Sequence, residues 1–312
     1  MMMSDVDRVT LRDVADASGV SRATVSFVLN DTPNQTISAA TRERVLHTAR
    51  ELGYAPHGIA RALREGTSRI VVLDVDTNFE GNYSSSFIRG LDEELAEHEH
   101  VLVVRHGSPT ARSTRQVLDA ITPRAVLRLG EAYLTGDELG DQGGGWRDGL
   151  AAHTSMQLRH LAERDHTRIA MALPAPESPL SEVRLRFARE AARTLELPPL
   201  RWFAVPPPRS ASTVAVRDFL DTPPHPTAVA ALDDNIALRV VTGLHDLGYR
   251  VPDDVAVIGF DDTEYGELVT PALTTVHIDA ESHGRMAART VLGLDTTGLD
   301  AAPGRVIVRE SA

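Results

Sequence analysis

The chain has 312 residues, about twice a typical single domain, so two or three folding units are expected. Hydrophobic residues make up 42%, enough to fill real cores, but aromatics are only 4%, so those cores are built from Ala, Val, Leu and Ile. Zero cysteines exclude disulfides and thiolate chemistry, the absence of lysine excludes a P-loop, and no apolar run of roughly 18 residues offers a transmembrane helix. All 32 basic residues are arginine, against 44 acids, for a formal charge of −12. Residues 1–66 hold eight arginines and eight acids, so the remainder carries essentially the whole excess. Such a chain does not coat polyanions indiscriminately, but nucleic-acid binding answers to local charge, and the N-terminal segment is the neutral part. No apolar stretch of signal-peptide length follows Met1, and a cytoplasmic location without membrane contact is expected.

Residues 9–30 carry the first pattern. Thr10 followed by Asp13 has the form of a capping box, with Leu11, Val14 and Ala15 on one apolar face. Gly19 supplies a left-handed stop, and Ser21 is a good N-cap for a second helix. Val20 and Val25 are placed to staple its start. Two short helices joined by a glycine turn form a helix-turn-helix. On the second helix, with Arg22 at zero, Ser26, Asn30, Ala23 and Phe27 fall within roughly 0–140°, and Val28, Val25 and Leu29 within roughly 240–340°. One face is core; the other offers Arg, Ser, Asn and an exposed Phe, suited to reading DNA. A plain solvent-facing helix is the alternative, and Phe27 would be an odd choice for it.

A third helix runs from Ser38, with Val45, Ala49 and Leu52 at helical spacing and Gly53 as terminator. The segment Tyr54–Ser68 is a short helical stretch interrupted by Gly58 and closed by Gly66, marginal until it finds a surface. From Arg69 the period changes. Strands are expected at Ile70–Leu73, Val101–Val104, Ala125–Leu129, Arg168–Leu173, Ala228–Leu232 and Val255–Phe260. Helices are expected around Phe87–Leu95 and at 153–164, 182–196, 211–220 and 234–247. That alternation means parallel α/β sheets, and about 245 residues of it suits two doubly wound subdomains facing a cleft.

These residues resemble the LacI/GalR family of bacterial transcriptional regulators over nearly the whole chain. Val9-Thr10-Leu11-x-Asp13-Val14-Ala15-x-x-x-Gly19-Val20-Ser21-x-x-Thr24-Val25-Ser26-x-x-Leu29-Asn30 follows the family's headpiece signature. Leu52-Gly53-Tyr54-x-Pro56 and Ala60-x-x-Leu63 follow its third helix and hinge. Gly259-Phe260-Asp261-Asp262 and Thr270-Pro271-x-Leu273-Thr274-Thr275-Val276 match its effector domain. The resemblance implies an all-α helix-turn-helix headpiece, residues 1–55, and a hinge, 56–67. An α/β periplasmic-binding-protein-like effector domain of two doubly wound subdomains, 68–312, would follow. Within it the N-subdomain would take about 68–148 and 281–297, and the C-subdomain about 149–280 and 298–312.

By the same resemblance the chain is a regulator, a repressor in the first reading, that binds double-stranded operator DNA of pseudo-palindromic sequence as a homodimer. The expected DNA-binding residues are Thr10, Ser21, Arg22, Ala23, Thr24, Ser26, Phe27, Asn30, Tyr54, His57, Ala60, Arg61 and Leu63. Arg22, Ala23, Ser26 and Phe27 would lie nearest the base edges, an arginine there being able to grip guanine bidentately. Ser21, Thr24 and Asn30 suit phosphate. Leu63 matches the position that wedges into the minor groove, flanked by Arg61 and Arg64; the alternative is a linker residue packed on its own domain. His57 stands where the family often has a capping Asn, and Gly58 costs up to about 1 kcal/mol in a helix, so a hinge that is hard to order is expected.

For a small-molecule effector, with a sugar as the model ligand, the resemblance points to Arg186, Asp233 and Asp261, and Tyr83, on the loop expected after the first strand, is placed to stack on a ligand face. Aspartate and arginine bridging vicinal hydroxyls is sound sugar chemistry. Plainer roles stay open: Asp233 or Asp234 capping a helix, Asp261 holding a loop, Arg186 as a surface charge. Several pieces depart from the family: Pro207 at a stacking position, Ile278 and Ala280 where polar and aromatic cleft residues would follow, and a short Leu134–Leu150 segment. An effector-independent regulator with a degenerate cleft is therefore the competing reading. A solute-binding or sugar-modifying protein would need an export signal or a catalytic pair, and neither is found; no enzyme activity and no cofactor are expected. His98-Glu99-His100 lacks metal-ligand spacing and reads as a solvated turn.

Overall fold

A computed structural model describes residues 9–29, 35–54, 68–75, 81–106, 112–129, 150–299 and 303–312. The chain divides into two compact units, Met1–Arg69 and Ile70–Ala312.

The first unit contains α1 (Leu11–Ser18), α2 (Arg22–Leu29) and α3 (Ala39–Glu51). Thr10 caps α1 reciprocally with Asp13, the backbone N–H of Thr10 donating to the Asp13 carboxylate at 2.7 Å. Gly19 ends α1 at φ +69°, the left-handed conformation that a glycine adopts without strain. Ser21 Oγ then accepts from Thr24 N at 3.1 Å and starts α2, and Ser38 does the same for α3 through Thr41 N. Val14, Ala15, Val25, Val28, Val45 and Ala49 form the core, with Val9, Leu11, Val20, Leu29, Ile37 and Tyr54 around it. Arg44 Nε donates to the Ser18 carbonyl at 3.0 Å and ties α3 to the end of α1.

The second unit has two lobes. In the N-lobe, β1 (Ile70–Val75) lies between β2 (Val101–His106) and β3 (Ala125–Arg128), all parallel, with Val72 opposite Val103 and Val126. Helices α4 (Asn82–Glu97) and α5 (Arg112–Ile121) alternate with these strands. Helix α11 (Glu281–Leu292) returns from the far end of the chain to pack along α4. Gly90 and Gly284 let the two backbones touch, since a Cβ on Gly90 would meet the Glu281 carbonyl. Glu94, buried between them, accepts from Arg289 and pairs with Arg285. Burial raises its carboxyl, but these two arginines outweigh that and hold it below the ordinary range.

The C-lobe sheet runs β5 (Arg201–Val205), β4 (Ile169–Pro174), β6 (Ala228–Ala231), β7 (Ala256–Ile258), again all parallel. Its side chains alternate faces with period two. Ile169, Met171, Leu173, Ala228, Ala230, Ala256 and Ile258 join one core; Ala172, Phe203, Val205, Val229, Ala231 and Val257 join the other. Helices α6 (Leu150–Ala162) and α7 (Pro179–Thr194) pack together, as do α8 (Arg209–Leu220) and α9 (Asp234–Asp246), completing a doubly wound layer. A one-turn helix, α10 (Tyr265–Leu268), precedes the antiparallel ribbon of β8 (Thr275–His277) and β9 (Arg305–Ile307). The strand Arg201–Val205 is absent from the sequence-based set of strands: Arg201 and Trp202 open it with a long polar and a large aromatic side chain, and three prolines follow it.

Candidate nucleic-acid interface and effector cleft

In the headpiece, α2 has a buried side, with Val25 at 0% and Val28 at 3% exposure, and an outer side on which Arg22 and Ala23 are exposed. Thr10 and Ser21 are exposed at the starts of their helices; Thr24 and Ser26 are half-buried on α2, and Tyr54 half-buried against the core. Phe27, expected to be exposed, is half-buried instead, because its angle of about 140° from Arg22 sets it at the border of the two faces. Asn30, His57, Ala60, Arg61 and Leu63 lie outside the described residues.

The candidate effector residues of the C-lobe gather around Arg184, which the sequence pattern passed over in favour of Arg186. Arg184 is 1% exposed. Its guanidinium donates to Thr154 Oγ1, to Gln157 Oε1 at 3.1 Å and to the Leu232 carbonyl at 3.3 Å, and its Cζ sits 3.6 Å from the centroid of Phe260. Gln157 in turn donates to the carbonyls of Ala231 and Gly259, at 2.8 and 2.9 Å. Thr154 and Gln157 are one turn apart on α6, which is why one arginine reaches both. Arg186 is exposed, its Cζ 5.2 Å from the ring of Phe187 on the same helix. The signal available in the sequence was the helix phase: Ser181, Arg184, Leu185 and Ala188 follow the i, i+3, i+4, i+7 rule and are buried, whereas Arg186 is two residues off that stripe.

Three aspartates converge from α9 and the loop after β7. Asp233 caps α9, its Oδ1 accepting from Ile236 N at 2.7 Å. Asp234 is fully buried and accepts from Phe260 N, Thr263 N, Thr263 Oγ1 and Thr275 Oγ1, at 2.8, 2.7, 3.1 and 2.6 Å. It therefore holds the loop that carries Asp261. Burial pushes Asp234 up to about 6, raises Asp233, and raises Asp261 well above the usual carboxylate range, the last with help from its two acidic neighbours. Asp261 is 9% exposed and holds φ +94°, a conformation rare for a residue with a side chain. Its Oδ1 accepts from Tyr83 N at 2.7 Å. The Tyr83 ring, 7% exposed, stacks on Phe87 at 6.3 Å between centroids. Tyr83, Asp261, Asp233 and Arg184 thus belong to one neighbourhood; Arg186 does not. Ile278 and Ala280 are buried, and no candidate metal cluster occurs among the described residues.

Comparison with known proteins agrees with both units. Residues 10–57 match the family described as bacterial regulatory proteins, lacI family, and residues 158–311 match the periplasmic binding protein-like domain. The HTH-type transcriptional repressor PurR of Vibrio vulnificus (strain CMCP6) is 27% identical, over 91% of this chain and 91% of its own. The transcriptional regulator CelR, solved as a cellobiose complex, is 27% identical with a TM-score of 0.59, covering 98% of this chain and 100% of that one. The Lac repressor dimer bound to operator and the anti-inducer ONPF shares the fold, with a TM-score of 0.75 at 22% identity over 98% and 99% of the two chains. A helix-turn-helix headpiece followed by a periplasmic-binding-protein-like α/β domain defines a DNA-binding bacterial regulatory protein. Its headpiece matches the LacI family of such regulators, and its likeness to a PurR repressor extends over 91% of the chain.

Proposed function

We propose that the protein is a repressor that binds a pseudo-palindromic operator as a homodimer and answers to a small, sugar-like effector in the cleft between its lobes. The observation that carries the reading is α2, whose Val25 and Val28 are spent on the core while Arg22 and Ala23 stand free for base edges. Thr10, Ser21, Thr24, Ser26, Tyr54 and, outside the described residues, Asn30, His57, Ala60, Arg61 and Leu63 complete the proposed contact set. Tyr265 and Leu268, 52% and 78% exposed on α10, are apolar surface of the kind a homodimer covers. PurR is named a repressor and CelR is solved with cellobiose; both support the same reading here. In the cleft, Asp233, Asp261 and Tyr83 stay in the proposed effector set, and Arg184 takes the place proposed for Arg186. A cytoplasmic location follows from a target that is DNA.

A second reading, an effector-independent regulator, is favoured by one observation: Arg184 and Asp261 are already engaged with the protein's own groups. Selection of bound sequences from random duplex DNA, followed by a panel of sugars and nucleosides added to the complex, separates the two. A palindrome released by one compound supports the effector-gated repressor, a palindrome that no compound releases supports the second reading, and no enrichment at all overturns both.

A further inference from the structure

Helix α4 begins without a cap of its own. Gly81 occupies the N-cap position at φ +118°, and no side chain there accepts from the first turn. The acceptors come from the other lobe. Asn82 N donates to the Asp261 carbonyl at 2.7 Å, and Tyr83 N donates to Asp261 Oδ1 at 2.7 Å. One residue of the loop after β7 therefore satisfies two of the orphan donors of an N-lobe helix, through its backbone and its side chain together. Asn82 adds a third tie, Nδ2 donating to the Ile278 carbonyl at 2.6 Å.

Two local features accompany this contact. A Cβ on Gly81 would lie 2.5 Å from Asp261 Oδ2, so glycine is required for the carboxylate to come so close. Asp261 itself is held at φ +94°, with its N donating to the Val276 carbonyl at 2.8 Å from behind. Backbone strain of this sort persists only where the surroundings over-determine it.

We infer that Asp261 is an inter-lobe latch, supplying from the C-lobe the N-cap that α4 lacks, with Gly81 as the residue that makes room for it. The two lobes are fastened at this point by the chain's own atoms. A ligand that claims Asp261 must share the carboxylate with α4 or take it away, and either changes how firmly the N-lobe is held. The latch is a property of the fold; its consequence for DNA rests on the regulator reading above.

Site-resolved amide hydrogen exchange on the full chain tests it. Asp261→Ala should speed exchange of the Tyr83 amide about tenfold, the size of a lost cap, while β4 amides stay protected. Asp261→Asn keeps an acceptor oxygen and should restore most of the protection. Gly81→Ala should reproduce the alanine variant by driving the carboxylate off. If Asp261→Ala also strips protection from β4, Gly81→Ala with β4 intact decides the matter. Tyr83 exchange unchanged in a folded Asp261→Ala or Gly81→Ala protein overturns the latch. Operator selection on the unmutated protein is scored separately, so a failed regulator reading leaves the exchange result standing, and the reverse.

Discussion

Arg184 sits over the ring of Phe260, the guanidinium carbon 3.6 Å from the ring centroid, with the arginine 1% exposed. A buried cation is costly unless its donors find acceptors, and Thr154, Gln157 and the Leu232 carbonyl accept from the two terminal nitrogens of this guanidinium. Arg184→Ala leaves those acceptors unpaired and opens a hole beneath Phe260, so it should destabilise the α/β domain by about 3 kcal/mol or more. Arg186→Ala, on an exposed side chain, should stay within about 0.5 kcal/mol. Urea unfolding of the two variants checks this, and equal losses would mean that the helix phase has been misassigned.

Arg22 stands exposed at the first position of α2. Arg22→Ala should weaken binding to the selected operator by about 1–3 kcal/mol and relax preference at one base step. Titration at several salt concentrations gives a second readout: a headpiece with equal numbers of arginines and acids predicts a modest slope. A wild-type slope near ten released ions would contradict that charge arithmetic.

Leu63→Ala should leave the fold intact, as judged by circular dichroism, while reducing operator affinity by a few kcal/mol through lost minor-groove wedging. Operator affinity equal to that of the wild type would remove Leu63 from the mechanism.

The cleft acids predict an unusual pH response. Burial pushes Asp234 up to about 6 and raises Asp233 and Asp261 in the same direction. A carboxyl that binds its proton more tightly in the folded state makes stability rise as pH falls from about 6 towards its ordinary value. For Asp234 the full span is about 3 kcal/mol. His160 and His166, held below their ordinary value by burial, oppose this over the same interval, so the readout is the difference: between pH 7 and 5 the melting temperature of the wild type should gain relative to that of Asp234→Asn. Below the ordinary carboxylate value of 3.8 the Asp234 contribution is complete and the sign reverses. Asp246, held at about 2 chiefly by its bonds from Arg209 and Thr213, contributes stability that disappears on further acidification. Parallel pH profiles for the wild type and Asp234→Asn would contradict the assignment.

The headpiece was legible because its signals are local. Thr10 to Asp13, Gly19 and Ser21 each act within four residues, and the caps formed as their spacing implies. The parallel sheets were legible from runs such as Val71-Val72-Leu73. The cleft was less so. Arg184 and Arg186 differ only by helix phase, which family pattern obscures and burial reveals. The contact of Tyr83 with Asp261 spans 178 positions, and no periodicity encodes a bond of that separation. Gly81 carried no signal either, since its reason lies in an atom of a distant loop.

The C-lobe sheet is floored with methyl groups: Ala170, Ala172, Ala228, Ala230, Ala231 and Ala256 are all at 1% exposure or less. Alanine has no rotamer to change and surrenders no side-chain entropy on burial. At those six positions β4, β6 and β7 have no rotamer to switch, so side-chain repacking within the plate is confined to neighbours such as Met171, Leu173 and Ile258.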